Sequence, residues 1–129
     1  MRLPNAAPAS MTNPPRKLAF VLAATEHGTM ILNRFDYHAT GLRRCGVGSE
    51  PLDHAAYYAD EVGDAEALLG IRRLHFGDGV VAVDCGANIG VHTLEWARSM
   101  TGWGAVIAIE AQERIFYALA GRGRVNFRC

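Results

Sequence analysis

Asp84, Gly86, Ala87, Asn88, Gly90 and Glu110 are the residues of this chain whose types and spacing carry chemistry. Residues 80–90 read Val-Val-Ala-Val-Asp-Cys-Gly-Ala-Asn-Ile-Gly, and Glu110 follows a second apolar run at residues 105–109. An acid closing one strand, a glycine loop opening a helix and an acid closing the next strand make half of a nucleoside-cofactor site. In an open parallel sheet the ligand lies beyond the carboxyl ends of the strands, so Asp84 and Glu110 are expected to flank one crevice. Gly86 permits the tight turn after the strand. Gly90 is expected to let helix and strand approach closely, with helix N–H groups aimed into the crevice. An ionised Glu110 is acceptor-only and suits the two vicinal hydroxyls of a ribose. Its position about 20 residues past the glycines matches the ribose-binding acid of dinucleotide folds.

Two ligands meet these terms: S-adenosylmethionine and a nicotinamide dinucleotide. A dinucleotide fingerprint is GxGxxG, whose second glycine admits a pyrophosphate. Here the pattern is GxNxG behind Asp84. A carboxylate about 4 Å from a pyrophosphate charge costs about 1–4 kcal/mol, depending on exposure. The same carboxylate favours a ligand carrying an ammonium and a sulfonium. Asn88 tolerates a left-handed backbone better than most residues, so the loop forms without the middle glycine. The residues favour the methyl donor over the dinucleotide.

Several elements must position these groups. The apolar run at 80–83 is continuous, as in a strand covered on both faces, which predicts a parallel sheet with helices on either side. Residues 89–100 read as the crossover helix, with Gly90, Thr93 or Leu94, Ala97 and Met100 inward. Residues 105–109 read as the next parallel strand, and 112–120 as a second helix with Ile115 and Leu119 on one face. The βαβα order predicts an α/β fold, a Rossmann-like doubly wound parallel sheet represented by its first βαβα unit. Upstream, residues 17–23 and 29–35 suit two strands joined at Glu26-His27-Gly28, a hairpin able to cover one edge or mouth of that unit. Residues 36–51 read as a long loop with three glycines. Residues 60–74 read as a helix whose Val62, Ala65, Leu68 and Leu69 share a face, stopped by Gly77-Asp78-Gly79. The expected organisation is a disordered leader at 1–16, a hairpin, loop and helix extension at 17–76, and the cofactor-binding part at 77–129.

Composition sets outer limits. The chain of 129 residues suits one small domain, with 50% hydrophobic and 20% charged residues. Thirteen basic side chains balance thirteen acidic ones, which argues against nucleic acid as a partner. No apolar run approaches the ~20 residues of a membrane span, and the N-terminus lacks a secretory apolar core. Cys45, Cys85 and Cys129 are odd in number and widely spaced, so neither a zinc site nor a disulfide framework is expected. A reducing, cytoplasmic compartment fits, and Cys85 is expected to pack as a small buried apolar residue. The five histidines share no ligand spacing, so no metal is expected. His92 is read as a packing or surface residue, Asp36-Tyr37-His38 as an ordinary loop cluster, and Trp96 and Trp103 as packing residues.

The stretch Asp84-Cys85-Gly86-Ala87-Asn88-Ile89-Gly90-Val91-His92-Thr93, followed by Ile107-Ala108-Ile109-Glu110-Ala111-Gln112, resembles the FkbM-type methyltransferases. The resemblance runs from about residue 77 to 121 and is looser over 17–74. It implies a class I, S-adenosylmethionine-dependent enzyme that methylates a hydroxyl of a small-molecule acceptor. Asp84, Gly86, Ala87, Asn88 and Gly90 would line the methionine and adenosine side, and Glu110 would hold the ribose. Ala111 stands where the family commonly has proline, which bears on the local turn. The resemblance names no general base.

The family's sheet has seven strands, and two of its core strands are identifiable here. From Gly121 the chain reads GRGRVNFRC, losing helical periodicity and gaining three arginines. The expectation is a truncated or frame-shifted product with an open sheet edge through which it self-associates. Two alternatives stand beside it. One is a fragment of an NAD-dependent oxidoreductase, and the other a non-catalytic remnant or interaction module.

Overall fold

The computed structural model describes residues 18–121, apart from the side chain of Arg43. The expected leader, 1–16, and the arginine-rich stretch, 122–129, lie outside the described residues.

β1 (Phe20–Thr25) and β2 (Gly28–Asn33) form an antiparallel hairpin in register from Phe20↔Asn33 to Thr25↔Gly28. Side chains alternate across a strand, and β2 uses that period to bury Met30 and Leu32 completely.

Residues 36–51 differ from the expected long loop. β3 (His38–Thr40) and β4 (Arg43–Cys45) pair as a second small hairpin, and α1 (Glu50–His54) follows with Pro51 in its first turn. Two of the glycines that suggested flexibility serve close packing. A Cβ at Gly46 would collide with the Asp36 carbonyl oxygen, and one at Gly48 with that of Asn33. Compactness and flexibility use the same residue type, which is why this segment read as a loop.

α2 (Ala59–Phe76) opens with Asp60 and Glu61 and closes with Arg73 and His75, charges that complement the helix dipole. It ends at Gly77, whose N–H donates to the Arg73 carbonyl at 2.7 Å. Val62 is buried and Leu69 is partly so, while Leu68, expected on the same face, is exposed along with Ile71, Leu74 and Phe76.

The remaining elements are β5 (Val80–Cys85), α3 (Val91–Ser99), β6 (Gly104–Ile109) and α4 (Glu113–Ala120), in the expected βαβα order. β5 and β6 pair in parallel, from Val80↔Gly104 to Cys85↔Ile109. The chain is thus an α/β fold with one parallel strand pair and two antiparallel hairpins.

Among the described residues the parallel pair is covered on one face only. Val80, Ala82 and Asp84 point to the helix side, and Val81, Val83 and Cys85 point away and are exposed. β6 repeats the alternation, leaving Ile107 and Ile109 about half exposed, at 50% and 51%. This corrects two expectations. The continuous apolar run does not report cover on both faces here, and Cys85 is exposed because it shares the bare face.

Two cores organise the described chain. Val80, Ala82, Met100 and Trp103 pack with Leu69, Trp96 and Val106 between the parallel pair, α2 and α3. Met30, Leu32, Val62, Ile89, Val91, Ile115 and Ala118 form the other. That second core joins the first hairpin to the glycine loop, α3 and α4. Each large apolar side chain removed from water there contributes about 1.5–3 kcal/mol. The hairpin therefore packs on the βαβα unit, through the loop itself.

Candidate functional site

The glycine loop between β5 and α3 is held entirely by protein acceptors. The N–H groups of Gly86 and Ala87 both donate to the Ile109 carbonyl, at 2.8 and 3.0 Å. The Asn88 N–H donates to Glu110 Oε2 at 2.9 Å, and the Ile89 N–H to Asn88 Oδ1 at 2.7 Å. The Gly90 N–H closes on the Ala87 carbonyl at 2.7 Å. Five successive amides are thus satisfied within the protein, none of them by a helix ladder. Asn88 holds φ at 49°, the left-handed conformation its short polar side chain makes accessible.

Glu110 lies just past the end of β6 and is half-buried. Its Oε2 accepts from Asn88 and its Oε1 accepts from the Gln112 N–H at 2.7 Å. A carboxylate offers about four lone-pair sites, so about two remain for a ligand diol. The acid that the sequence marked for ribose is also the clamp joining the loop after β5 to the turn after β6.

Asp84 departs from its expected placement. It is buried on the helix-covered face, where Oδ2 accepts from the Thr93 hydroxyl at 2.5 Å. Its carboxylate is directed under α3 rather than out past the strand end. Alternation along β5 requires this, because Asp84 shares its face with Val80 and Ala82. Thr93 was legible as an inward helix residue; its role as partner to Asp84 depends on the nine-residue return of the chain through the loop.

Gly86 and Gly90 also separate. Gly86, at φ +81°, has open space where a Cβ would be. Gly90, at φ +80°, is buried, and a Cβ there would collide with Leu119 Cδ1 of α4. The close approach at Gly90 is therefore to the second helix, not to the strand. Ala87 is buried, and Ile89 is buried in the core shared with the hairpin. Gly86 and the half-buried Asn88 are left on the loop's more open side.

A second polar array anchors the hairpin turn. His27 is buried, its Nε2 accepts from the Tyr57 N–H at 3.0 Å, and its Nδ1 lies 2.9 Å from Glu95 Oε1. With Nε2 accepting, Nδ1 carries the proton and donates to Glu95. Arg98 donates to both Glu95 Oε1, at 2.8 Å, and the His27 carbonyl, at 2.7 Å. Sequence separation of 68 residues hid this array from local pattern reading.

His92, in the first turn of α3, belongs to an aromatic cluster with Tyr57 and Trp96, ring centroids 6.1 and 5.6 Å away. The Tyr57 hydroxyl is pushed above the usual tyrosine range, first by burial and then by the neighbouring acidic groups Glu61, Tyr58, Glu50 and Asp36, whose ionised forms oppose its own ionisation. Tyr37, by contrast, is stacked under the Arg44 guanidinium at 4.1 Å. Trp103 is buried and its indole N–H donates to the Ser99 carbonyl at 2.7 Å. Among the described residues no three His, Cys, Asp or Glu side chains converge to hold a metal ion, and no helix is long and apolar enough to cross a membrane.

No protein-family model matches the chain, and neither a curated protein nor a solved structure shows significant similarity to it.

Proposed function

We propose that this chain binds S-adenosylmethionine at the loop after β5, as the donor-binding part of a cytoplasmic, FkbM-type methyltransferase acting on a hydroxyl of a small molecule. On this reading residues 77–129 belong to a Rossmann-like domain, with residues 17–76 as an extension over it. The observation that carries the proposal is the joining of Glu110 to the glycine loop through the Asn88 amide. An acid at the end of β6 and a tight loop at the end of β5 thereby share one place, which a nucleoside ligand requires.

The donor set favours a cation with a diol over a pyrophosphate. A pyrophosphate draws its binding energy from free backbone N–H groups, and the five loop amides already have acceptors. Glu110 brings negative charge and spare acceptor capacity instead, and Asp84 adds a second acid behind the loop. Glu110 would take the ribose hydroxyls, and the open side of Gly86 would admit the methionine part. When bound, the sulfonium supplies an already activated methyl group. The protein's contribution is alignment of the acceptor oxygen with that methyl group, so proximity and orientation carry much of the rate. A general base would assist by taking the hydroxyl proton.

Calorimetric titration with S-adenosylhomocysteine tests this. Saturable binding is expected, together with a loss of about 10- to 100-fold on Glu110→Ala, the equivalent of one to two charge-assisted hydrogen bonds. Circular dichroism of the variant separates lost binding from lost folding. Unchanged affinity in a folded Glu110→Ala protein would remove Glu110 from the site. Binding of NAD in preference to S-adenosylhomocysteine would favour the oxidoreductase instead.

A further inference from the structure

We infer that His27 is a pH-sensitive latch, which holds the strained link between α1 and α2 against the turn of the first hairpin and releases it on protonation. The inference is independent of the methyl-donor reading, because it uses neither the glycine loop nor Glu110.

The directions of the hydrogen bonds carry it first. A backbone N–H only donates, so the Tyr57 N–H, at 3.0 Å, fixes His27 Nε2 as an acceptor. An imidazolium bears a proton on both nitrogens and accepts nothing. The arrangement therefore requires a neutral ring, protonated at Nδ1 and donating to Glu95 Oε1 at 2.9 Å. A proton added at Nε2 turns the Tyr57 contact into two N–H groups facing each other. The Glu95 contact survives, because Nδ1 donates in both states. Protonation thus cuts His27 from the link and leaves it tied to α3.

The second observation is strain in the link, residues 55–58. Ala55 holds φ at 60°, a left-handed conformation that its Cβ makes costly. Ala55 is exposed, so its methyl gains little by staying there, and the Tyr57 side chain is only half-buried against the hairpin core. Two hydrogen bonds join the link to the hairpin turn. The Glu26 N–H donates to the Ala55 carbonyl at 2.8 Å, and the Tyr57 N–H donates to His27. Loss of the second leaves the first alone against the strain.

The third is the charge around the ring. Among the described residues, the charged side chains in contact with His27 are Glu95 and Arg98, both from α3. Arg98 donates to Glu95 Oε1 at 2.8 Å and to the His27 carbonyl at 2.7 Å. The hairpin turn adds the exposed Glu26, and the link adds the Tyr57 amide. Glu95 favours the imidazolium, while Arg98 and the Tyr57 N–H dipole oppose it. A charged His27 therefore keeps a carboxylate partner on α3 and has none toward the link.

The test is an NMR titration of the full chain from about pH 8 to about pH 5, the range over which histidines charge. At the alkaline end the His27 ring nitrogen signals are expected to place the proton on Nδ1. As the ring charges, amide exchange corrected for its intrinsic pH dependence is expected to show the Tyr57 protection factor falling about tenfold, the equivalent of one hydrogen bond. Glu26 protection falls with it, while Met30 and Leu32 in β2 keep theirs. Ala55→Gly, an exposed substitution that relieves the left-handed strain, is expected to make the Tyr57 loss about three- to tenfold smaller. A proton on Nε2 at the alkaline end would overturn the proposal. So would unchanged Tyr57 protection on a charged ring, a ring that stays neutral until the whole protein unfolds, or an equal loss in Ala55→Gly.

Discussion

At the scale of residues, side chains that build the loop are the ones to which the proposal assigns chemistry. Glu110 clamps two turns while keeping acceptor capacity for a ligand, and Asn88 supplies both a left-handed backbone and an acceptor for the next amide. Both roles follow from residue type, which is why the loop was readable from its letters. The direction of Asp84 was not, since strand-end position and strand face are different properties and only the second decides burial. Tyr57 gives a prediction at this scale. Its folded pKa is raised, so its contribution to stability is complete below about pH 10, where an unfolded tyrosine ionises. That contribution is lost as pH rises through the folded value. Urea denaturation of the native protein is therefore expected to show stability declining above about pH 10, with a shallower decline in Tyr57→Phe. Identical alkaline limbs would show that Tyr57 ionisation does not contribute.

At the scale of elements, regular periods were legible and irregular packing was not. The β5–loop–α3–β6–α4 order followed from apolar runs punctuated by glycine, and the first hairpin from two β-type runs around Glu26-His27. The short β3–β4 hairpin escaped because its three-residue strands carry no alternation and its glycines mimic a flexible loop. The partner of Gly90 escaped for a different reason. Local spacing indicates that something approaches a helix-start glycine, but only tertiary packing decides that it is Leu119 of α4. Gly90→Ala is accordingly expected to destabilise the protein by about 2–5 kcal/mol, combining left-handed strain with overpacking against Leu119. The shift of the urea midpoint measures this. Adding Leu119→Ala is not expected to restore full stability, because the backbone strain remains. A midpoint shift under about 1 kcal/mol for Gly90→Ala would contradict the assigned contact.

At the scale of the whole molecule, the main departure from expectation is the uncovered face of the parallel pair. Val81 and Val83 on β5 and Ile107 and Ile109 on β6 present adjacent apolar side chains to solvent among the described residues. Sequence could not distinguish this from two-sided cover, because a strand apolar on both faces reads identically whether or not its second face has a partner. Contiguous exposed apolar surface of this kind promotes association. Val83→Glu combined with Ile107→Lys is expected to reduce concentration-dependent self-association in analytical ultracentrifugation, with a small change in unfolding midpoint, since neither side chain belongs to a described core. Unaltered association in the double variant would place any self-contact elsewhere.

The two ends of the parallel pair also differ. The glycine loop and Glu110 lie at the carboxyl end, and a shallow depression bordered by Asp78, Gly79, Trp103 and Gly104 lies at the amino end. Mapping S-adenosylhomocysteine onto the backbone amides by two-dimensional NMR separates them in one experiment. Saturable shifts are expected at Gly86, Asn88 and the residues following Glu110, with the amides around Asp78 and Trp103 unmoved. Saturation at the amino end, or no saturable shift at the loop in a folded sample, would contradict it.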